Sequence, residues 1–426
     1  MKRPQLIIAP GKEKAILRHH PWIFSGAVKR VEGDPQEGDL VDVVDAHGQW
    51  MATGHYQNES IICKALTFDA DEAALPTEEL LRRRIHSAVR YRQELGFFSS
   101  SLTNVFRLVH AEGDYLPGLV CDWYNGVLVM QAHSVGMHRI FPTLVELFKA
   151  ELTPQGLQAI FDKSSATCPG GSEDGYILLP SPIGEGQGVR PEHEIVENDV
   201  RLLINFYEGQ KTGFFVDQRE NRALVQQLAR GHRVLNCFGY TGGFSLAALR
   251  GGAEYVETVD ISKKAIDLCN RNVELNFGPD APHKGVVADV LKYIADGRQQ
   301  TAGSATQADD TLLPATGYQL PAPFTFIILD PPAFAKNHRS LQQGLKGYRS
   351  INQRAMEALP EGGLLMTFSC SQAVSRDDFQ TMVFTAAMNA GRRVRIVRQL
   401  PHAMDHPVSI HHPEGEYLKG LLLQVE

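Results

Sequence analysis

Apolar positions recur along this 426-residue chain in three successive rhythms. Up to about residue 72 they come in short alternating runs: Leu6 to Ile8, Asp39 to Val44, Trp50 to Tyr56 and Ile61 to Leu66. Turn residues such as Gly38-Asp39 and His47-Gly48 separate them. A period of two buries one face of each strand, so this part predicts a small β-barrel. From about 73 to 186 the pattern mixes. Thr77 stands where an N-cap belongs, and Leu81, Ile85, Ala88, Arg92 and Leu95 fall near one face of a helix running to about Leu95. Strands near 105–110, 118–123 and 126–132, a helix near 137–152, and strands near 157–162 and 175–180 predict a small α+β domain with helices on one side. From about 190 onward strands and helices alternate, which predicts a parallel sheet. Its strands are expected near 233–238, 255–260, 285–288, 324–330, 363–369 and 394–398, with a helix over 262–276 striped by Ala265, Cys269, Asn272, Val273 and Asn276. A polar stretch near 298–323 has no period and reads as a flexible insertion.

Composition narrows the class. With 43% hydrophobic and 21% charged residues the chain reads as soluble and globular. No run approaches the length of a membrane span, and Met1-Lys2-Arg3-Pro4 opens no signal peptide. Six scattered cysteines, none in a Cys-x-x-Cys pair, fit a reducing cytosol and predict no structural zinc. His402, His406, His411 and His412 lie among prolines without ligand spacing, so no metal is expected. The net charge of -7 leaves any nucleic-acid contact to local basic patches. Candidates are Lys336 to Arg339 and Lys346 to Arg349; the arginines of helix 82–92 read first as a solvated face, with RNA contact as the alternative.

The chemistry sits at strand ends. In an open α/β sheet, ligands bind beyond the carboxyl ends of the strands. Asp330-Pro331-Pro332-Ala333 closes one apolar strand, and Ser369-Cys370-Ser371 closes another. An acid and a thiol at one rim are what methylation of a pyrimidine carbon needs. Asn236-Cys237-Phe238-Gly239-Tyr240-Thr241-Gly242-Gly243 joins a strand to a helix through glycines that let a ligand approach the backbone. Asp260 ends the next strand, where an acid can take both ribose hydroxyls, and Asp289 ends the third, where an acid can take an adenine amino group. The spacing is not Gly-x-Gly-x-x-Gly, so the constellation fits S-adenosylmethionine better than a dinucleotide. The competing reading makes the glycines packing residues and the acids helix caps. Upstream, Gly209 to Arg222 leads into a helix with Asp217 and Glu220 spaced as a capping box.

Taken together, Gly209 to Arg222, Asn236 to Gly242, Asp330-Pro331-Pro332-Ala333-Phe334 and Phe368-Ser369-Cys370-Ser371 resemble the bacterial large-subunit ribosomal RNA cytosine-5 methyltransferases. Arg18 to Ala27 resembles the opening of that family's PUA domain, and Gly113 to Leu119 its central domain. The resemblance spans nearly the whole chain; the 298–323 insertion and the net acidity depart from it. It implies a PUA RNA-binding domain over 1–72, a central α+β domain over 73–186, and a Rossmann-like class I methyltransferase domain with a mainly parallel sheet over 187–426. It further implies S-adenosylmethionine held by Phe215, Asp217, Arg222, Asn236, Phe238, Gly239, Tyr240, Thr241, Gly242, Asp260, Ser262, Asp289 and Asp330.

In that family's chemistry Cys370 is the nucleophile that adds to C6 of cytosine, and Asp330 acts at N3. Cys237, the competing thiol, is expected beneath the cofactor loop. Pro331, Pro332, Phe334 and Lys336 are the candidate substrate contacts. The base that removes the C5 proton is not identified. The expected partner is 23S ribosomal RNA, free or in an assembling large-subunit particle, with no membrane. A sheet edge or the PUA domain offers a route to a homodimer, and the sequence does not choose. Two rivals remain. Asp-Pro-Pro followed by an aromatic also serves methylation of a base nitrogen, such as guanine N7, where no thiol is required. A non-catalytic RNA-binding assembly factor would keep the fold and lose the cofactor.

Overall fold

The computed structural model describes residues 3–168, 174–178, 192–294, 323–335 and 337–426. The expected insertion near 298–323, except its last residue, lies outside the described residues, as do Lys336 and the expected boundary at 186/187. The chain forms two compact units. One comprises Met1–Asp199, Leu203–Asp217 and Ala403–Gly415; the other comprises Val200–Leu202, Gln218–His402 and Glu416–Glu426.

The first unit holds two sheets. The N-terminal one has six strands in the order Trp22–Phe24, Ile61–Thr67, Trp50–Tyr56, Leu40–Val44, Gln5–Ile8, Val28–Glu32. Alternation works as expected: Val41 and Val43 enter the core with Leu6, Ile8, Ile23 and Ala52, while Asp42 accepts hydrogen bonds from Thr53 and Arg3. The second sheet has five strands in the order Gly175–Leu178, Ala159–Asp162, Val127–Ala132, Leu119–Tyr124, Val105–His110. Helices Thr77–Glu94 and Phe141–Leu152 share its core, with Leu81, Ile85, Ala88 and Phe148 packed among Phe106, Leu108 and Leu128. Thr77 does not cap its helix: Pro76 is the N-cap residue and no side chain bonds there. The expected helix near 137–152 is two, Val135–Arg139 and Phe141–Leu152.

Arg92 corrects the picture of a solvated arginine face. It is fully buried, donating to both carboxylate oxygens of Asp114 (2.5 and 2.9 Å) and to the carbonyls of Arg107 and Asp405. Arg82, Arg83 and Arg90 pair with Glu78, Glu79 and Glu94 one turn away on the surface.

The second unit is built on one seven-stranded sheet. Its strands are β1 (Arg233–Cys237), β2 (Tyr255–Asp260), β3 (His283–Val287), β4 (Phe326–Leu329), β5 (Gly363–Ser369), β6 (Val394–Leu400) and β7 (Lys419–Val425). Their order is 3-2-1-4-5-7-6, with β1 to β5 parallel and β7 antiparallel to both neighbours. Phe326 to Leu329 are wholly buried, as a central parallel strand covered on both faces requires. The chain runs from β1 to β2 on one side and reaches β4 on the other. That reversal opens a crevice beyond the ends of β1 and β4. The parallel sheet expected from the sequence is therefore present, except that β7 was not read as a strand and turns the far edge antiparallel.

Candidate functional site

The loop after β1 is held in an uncommon backbone shape. Phe238, Tyr240 and Gly242 have φ of 59°, 47° and 89°. Such conformations in non-glycine residues cost about 1–3 kcal/mol each and persist only where the surroundings enforce them. Here the end of β2 does so. Gly239 N–H donates to the Val259 carbonyl at 3.1 Å, and Tyr240 N–H donates to Asp260 Oδ2 at 3.0 Å. The glycines are also packing residues. A Cβ on Gly239 would lie 2.3 Å from the Thr258 methyl, and one on Gly242 would lie 2.4 Å from Cys269 Sγ. Beneath the loop runs a buried polar chain. Asn236 Nδ2 donates to Ser245 Oγ (2.8 Å), Ser245 meets Thr258 Oγ1 (2.6 Å), and Thr258 meets His283 Nε2 (2.7 Å). Asn236 Oδ1 is buried without a hydrogen-bond partner. Burial lowers the His283 pKa to about 4.

The expected cofactor acids lie at successive strand ends. Asp260, half-buried, also accepts from Ser262 N–H at 2.8 Å. Exposed Asp289 accepts from Lys292 N–H at 3.0 Å. Both acids thus shape the turns that follow them, as the capping alternative held, and both remain at the rim. Ser262 caps the helix Lys263–Phe277 through Ala265 N–H. Two apolar residues here were not singled out from the sequence: Ile261, 74% exposed, and Val287, 51% exposed. Thr241 is buried, and Asn272 Nδ2 donates to its carbonyl at 3.3 Å.

The segment Gly209 to Arg222 divides between the units. In the first unit, Lys211 Nζ donates to Asp217 Oδ2 at 2.8 Å and lies 4.5 Å from the Phe215 ring centre. Thr212 donates to the buried Asp122 at 2.5 Å. Asp217 lies in a short turn, Val216–Gln218, and the residue at the helix N-cap is Gln218. In the second unit, Arg222 is buried with its guanidinium 5.9 Å from the Phe244 ring centre.

The acid and the thiol stand at the ends of neighbouring parallel strands, β4 and β5. Asp330 and Cys370 are both half-exposed. Of the six cysteines, Cys370 alone is not buried. Cys237, the last residue of β1, is fully buried, and burial pushes its thiol pKa up. One residue ties the two strand-end loops together. Ser371 Oγ accepts from Ala335 N–H at 3.2 Å and meets the Tyr348 hydroxyl at 2.8 Å. Its carbonyl accepts from Lys419 Nζ at 2.6 Å. Pro331 is buried and Pro332 exposed. Phe334, half-buried, packs 4.7 Å from the Tyr348 ring centre and 6.3 Å from that of Phe238. Tyr348, expected in an RNA-facing cluster, is wholly buried instead, while Lys346, His338 and Arg339 are exposed.

The late histidines serve packing in the two units. In the first, His406 bonds Asp405, His411 bonds the Arg18 carbonyl and His412 stacks edge-on against Trp22; in the second, His402 lies 5.0 Å from Tyr417. Among the described residues no group of three or more His, Cys, Asp or Glu could hold a metal ion. No helix there is long and apolar enough to cross a membrane.

A family described as a PUA-like domain matches residues 6–68, and one described as S-adenosylmethionine-dependent methyltransferase matches residues 185–291. Ribosomal RNA large subunit methyltransferase I of Escherichia coli is 36% identical over 422 residues, covering 99% of each chain. The protein of that name from Citrobacter koseri is 35% identical over 421 residues, again covering 99% of each. A SAM-dependent methyltransferase structure from Streptococcus mutans matches with a TM-score of 0.80 at 20% identity, covering all of both chains. A methyltransferase structure complexed with SAH matches with the same score and identity. At that identity the two structures speak for the fold alone.

Proposed function

The chain belongs to the ribosomal RNA large subunit methyltransferase I family and uses S-adenosylmethionine, and from that premise we propose that it methylates C5 of a cytosine in 23S ribosomal RNA through a covalent bond from Cys370 to C6. The observation that carries this reading is the pairing of Cys370, the one cysteine not buried, with Asp330 on the adjacent strand end, their loops joined through Ser371. Methylation of a base nitrogen needs no thiol at this place.

The residues near β1 and β2 suit the cofactor. Asp260 donates nothing and keeps lone pairs for ribose hydroxyls beyond its two backbone bonds. Exposed Ile261 and Val287 offer apolar surface to the faces of an adenine, with Asp289 at its amino edge. The backbone of Phe238 to Gly242 is assigned to direct contact with the cofactor, and buried Asn236 fixes the base of that loop. Phe215, Asp217 and Arg222 are assigned to the methionine end. Bound here, S-adenosylmethionine supplies an electrophilic methyl group.

The chain's own residues do the rest. C5 of cytosine is a weak nucleophile. Addition of the Cys370 thiolate to C6 forms an S–C6 bond and moves electron density to C5. Asp330, protonated or hydrogen-bonded at N3, stabilises the charge that develops on the ring. Loss of the C5 proton and breakage of the S–C6 bond then restore the aromatic ring and the free thiolate. Pro331 and Pro332 stiffen the loop carrying Asp330, and the half-exposed Phe334 leaves one side for the base. Lys336 is assigned to the RNA backbone, and the N-terminal PUA-like domain to docking the RNA.

Incubation with methyl-labelled S-adenosylmethionine and unmodified 23S RNA, followed by digestion to nucleosides, tests the assignment. Label in 5-methylcytidine is expected. Label in a methylated guanosine or adenosine would move the chemistry to nitrogen and overturn it.

A further inference from the structure

Lys419 opens β7 opposite Ser369 in the antiparallel β5–β7 register, beside the residue that follows Ser369 in sequence, Cys370. The lysine is 6% exposed. Its ammonium donates to the Ser371 carbonyl at 2.6 Å and to the Tyr417 carbonyl at 2.7 Å. An ammonium has three donors, so one remains beyond these two carbonyls. Burying such a cation is unfavourable unless an anion or several acceptors meet it. The strand would close equally well on an aliphatic side chain, since Leu421, Leu422, Leu423 and Val425 all do so further along. Reactive cysteines, in turn, sit in partly exposed places beside a cation.

We propose that Lys419 is a positioning residue for Cys370: its ammonium locks the end of β5 through the Ser371 carbonyl and is the counter-charge that holds the Cys370 sulfur as thiolate. In this step the thiol S–H bond breaks, its proton goes to bulk water, and Lys419 keeps its own protons. The inference rests on Cys370 being the nucleophile of the proposed reaction.

The charged and titratable surroundings are consistent with it. Desolvation brings the Lys419 pKa down to about 8, while Cys370 and Glu416 pull it up and Arg376 pushes it down. Lys419 is therefore still cationic at neutral pH and begins to lose its charge just above. Tyr348, on the helix packed against β5, has its pKa raised, chiefly by burial, with the Cys370 charge adding to this; it stays a neutral donor. Asp330, at the end of β4, is the acid on the neighbouring strand. Lys419 is the cation paired in register with Ser369, the residue before the thiol.

Alkylation reads the thiolate directly and needs neither RNA nor cofactor. The full chain is treated with iodoacetamide across pH 6 to 10, and modification of the Cys370 peptide is followed by mass spectrometry. The five buried cysteines serve as an internal control. Lys419→Met should move the midpoint of the rate profile up by about one pH unit or more, slowing alkylation about tenfold at pH 7. Lys419→Gln, which keeps a donor for the Ser371 carbonyl without the charge, should shift it equally. Lys419→Arg should restore most of the original profile. Superimposable profiles for the parent and the Gln variant would overturn the proposal. So would a shift in the Met variant that Gln repairs, because that would assign Lys419 to hydrogen bonding alone. If the nucleoside assay fails while alkylation shifts as stated, the cytosine reading falls and the Lys419–Cys370 pairing stands.

Discussion

Replacing Cys370 by alanine removes the thiol and leaves untouched the bonds that flank it, because Ser371 meets Tyr348 through Oγ and Lys419 through its backbone carbonyl. Cys370→Ala should therefore lower turnover on the order of 10³-fold or more while S-adenosylmethionine affinity, measured by calorimetry, stays within a few-fold. Retained turnover would contradict the covalent route. Ser371→Ala is a sharper structural probe. It strips a partner from the buried Tyr348 hydroxyl and from Ala335 N–H, which costs about 1–3 kcal/mol by urea denaturation and loosens Asp330 relative to Cys370. At this scale much was legible in the sequence. The Asp-Pro-Pro and Ser-Cys-Ser tripeptides announce their chemistry because an acid and a thiol at strand ends are rarely needed for packing. Ser371 as the tie between the loops, and Lys419 behind it, were not legible. Their roles depend on the register of β5 with β7, and no local pattern encodes a partner 48 residues away.

Elements carry the next level. The helix Thr77–Glu94 shows how identity of residue misleads without burial. Its five arginines look alike in sequence, yet Arg92 closes a buried pair with Asp114 while Arg90 lies on the surface with Glu94. Arg92→Met should destabilise the chain by about 3–5 kcal/mol, because it leaves the Asp114 charge buried and unanswered. Arg90→Ala should cost less than about 1 kcal/mol. Comparable losses in the two variants would refute the distinction. The polar chain under the loop after β1 predicts a pH dependence. The His283 pKa is lowered to about 4 in the folded chain, against about 6.5 when unfolded. Between these values the unfolded state binds more protons. The contribution is complete above about pH 6.5 and is lost as pH falls toward 4, amounting to on the order of 2–3 kcal/mol. Thermal melts at pH 7 and pH 5 should show the fall, and His283→Gln should flatten it. Periodicity found most of these elements, since alternation and the helical stripe come directly from the burial of one face. It missed β7, an apolar run after a proline- and histidine-rich loop with no helix before it, and so with none of the βα rhythm that revealed the others.

The chain as a whole is threaded, not cut into beads. Residues 403–415 belong to the first unit although 416–426 return to the second. Within the first unit, Asp405 accepts from Arg107 N–H at 2.7 Å and from Arg92 at its carbonyl, and Thr212 satisfies Asp122. A fragment of residues 1–199 lacks both segments and should therefore unfold with poor cooperativity, by circular dichroism, despite holding both sheets. The net charge of -7 fits this organisation, in which Arg82, Arg83, Arg90, Arg92 and Arg107 are spent on internal or neighbouring carboxylates. The central claim concerns one bond in this molecule, between Cys370 and C6 of cytosine. RNA carrying 5-fluorocytidine, incubated with the chain and S-adenosylmethionine, tests it most directly, because fluorine at C5 cannot leave as a proton. The account predicts a stable protein–RNA adduct whose mass maps to the Cys370 peptide and which is absent in Cys370→Ala. An adduct elsewhere, or methylated product with no adduct, would contradict it.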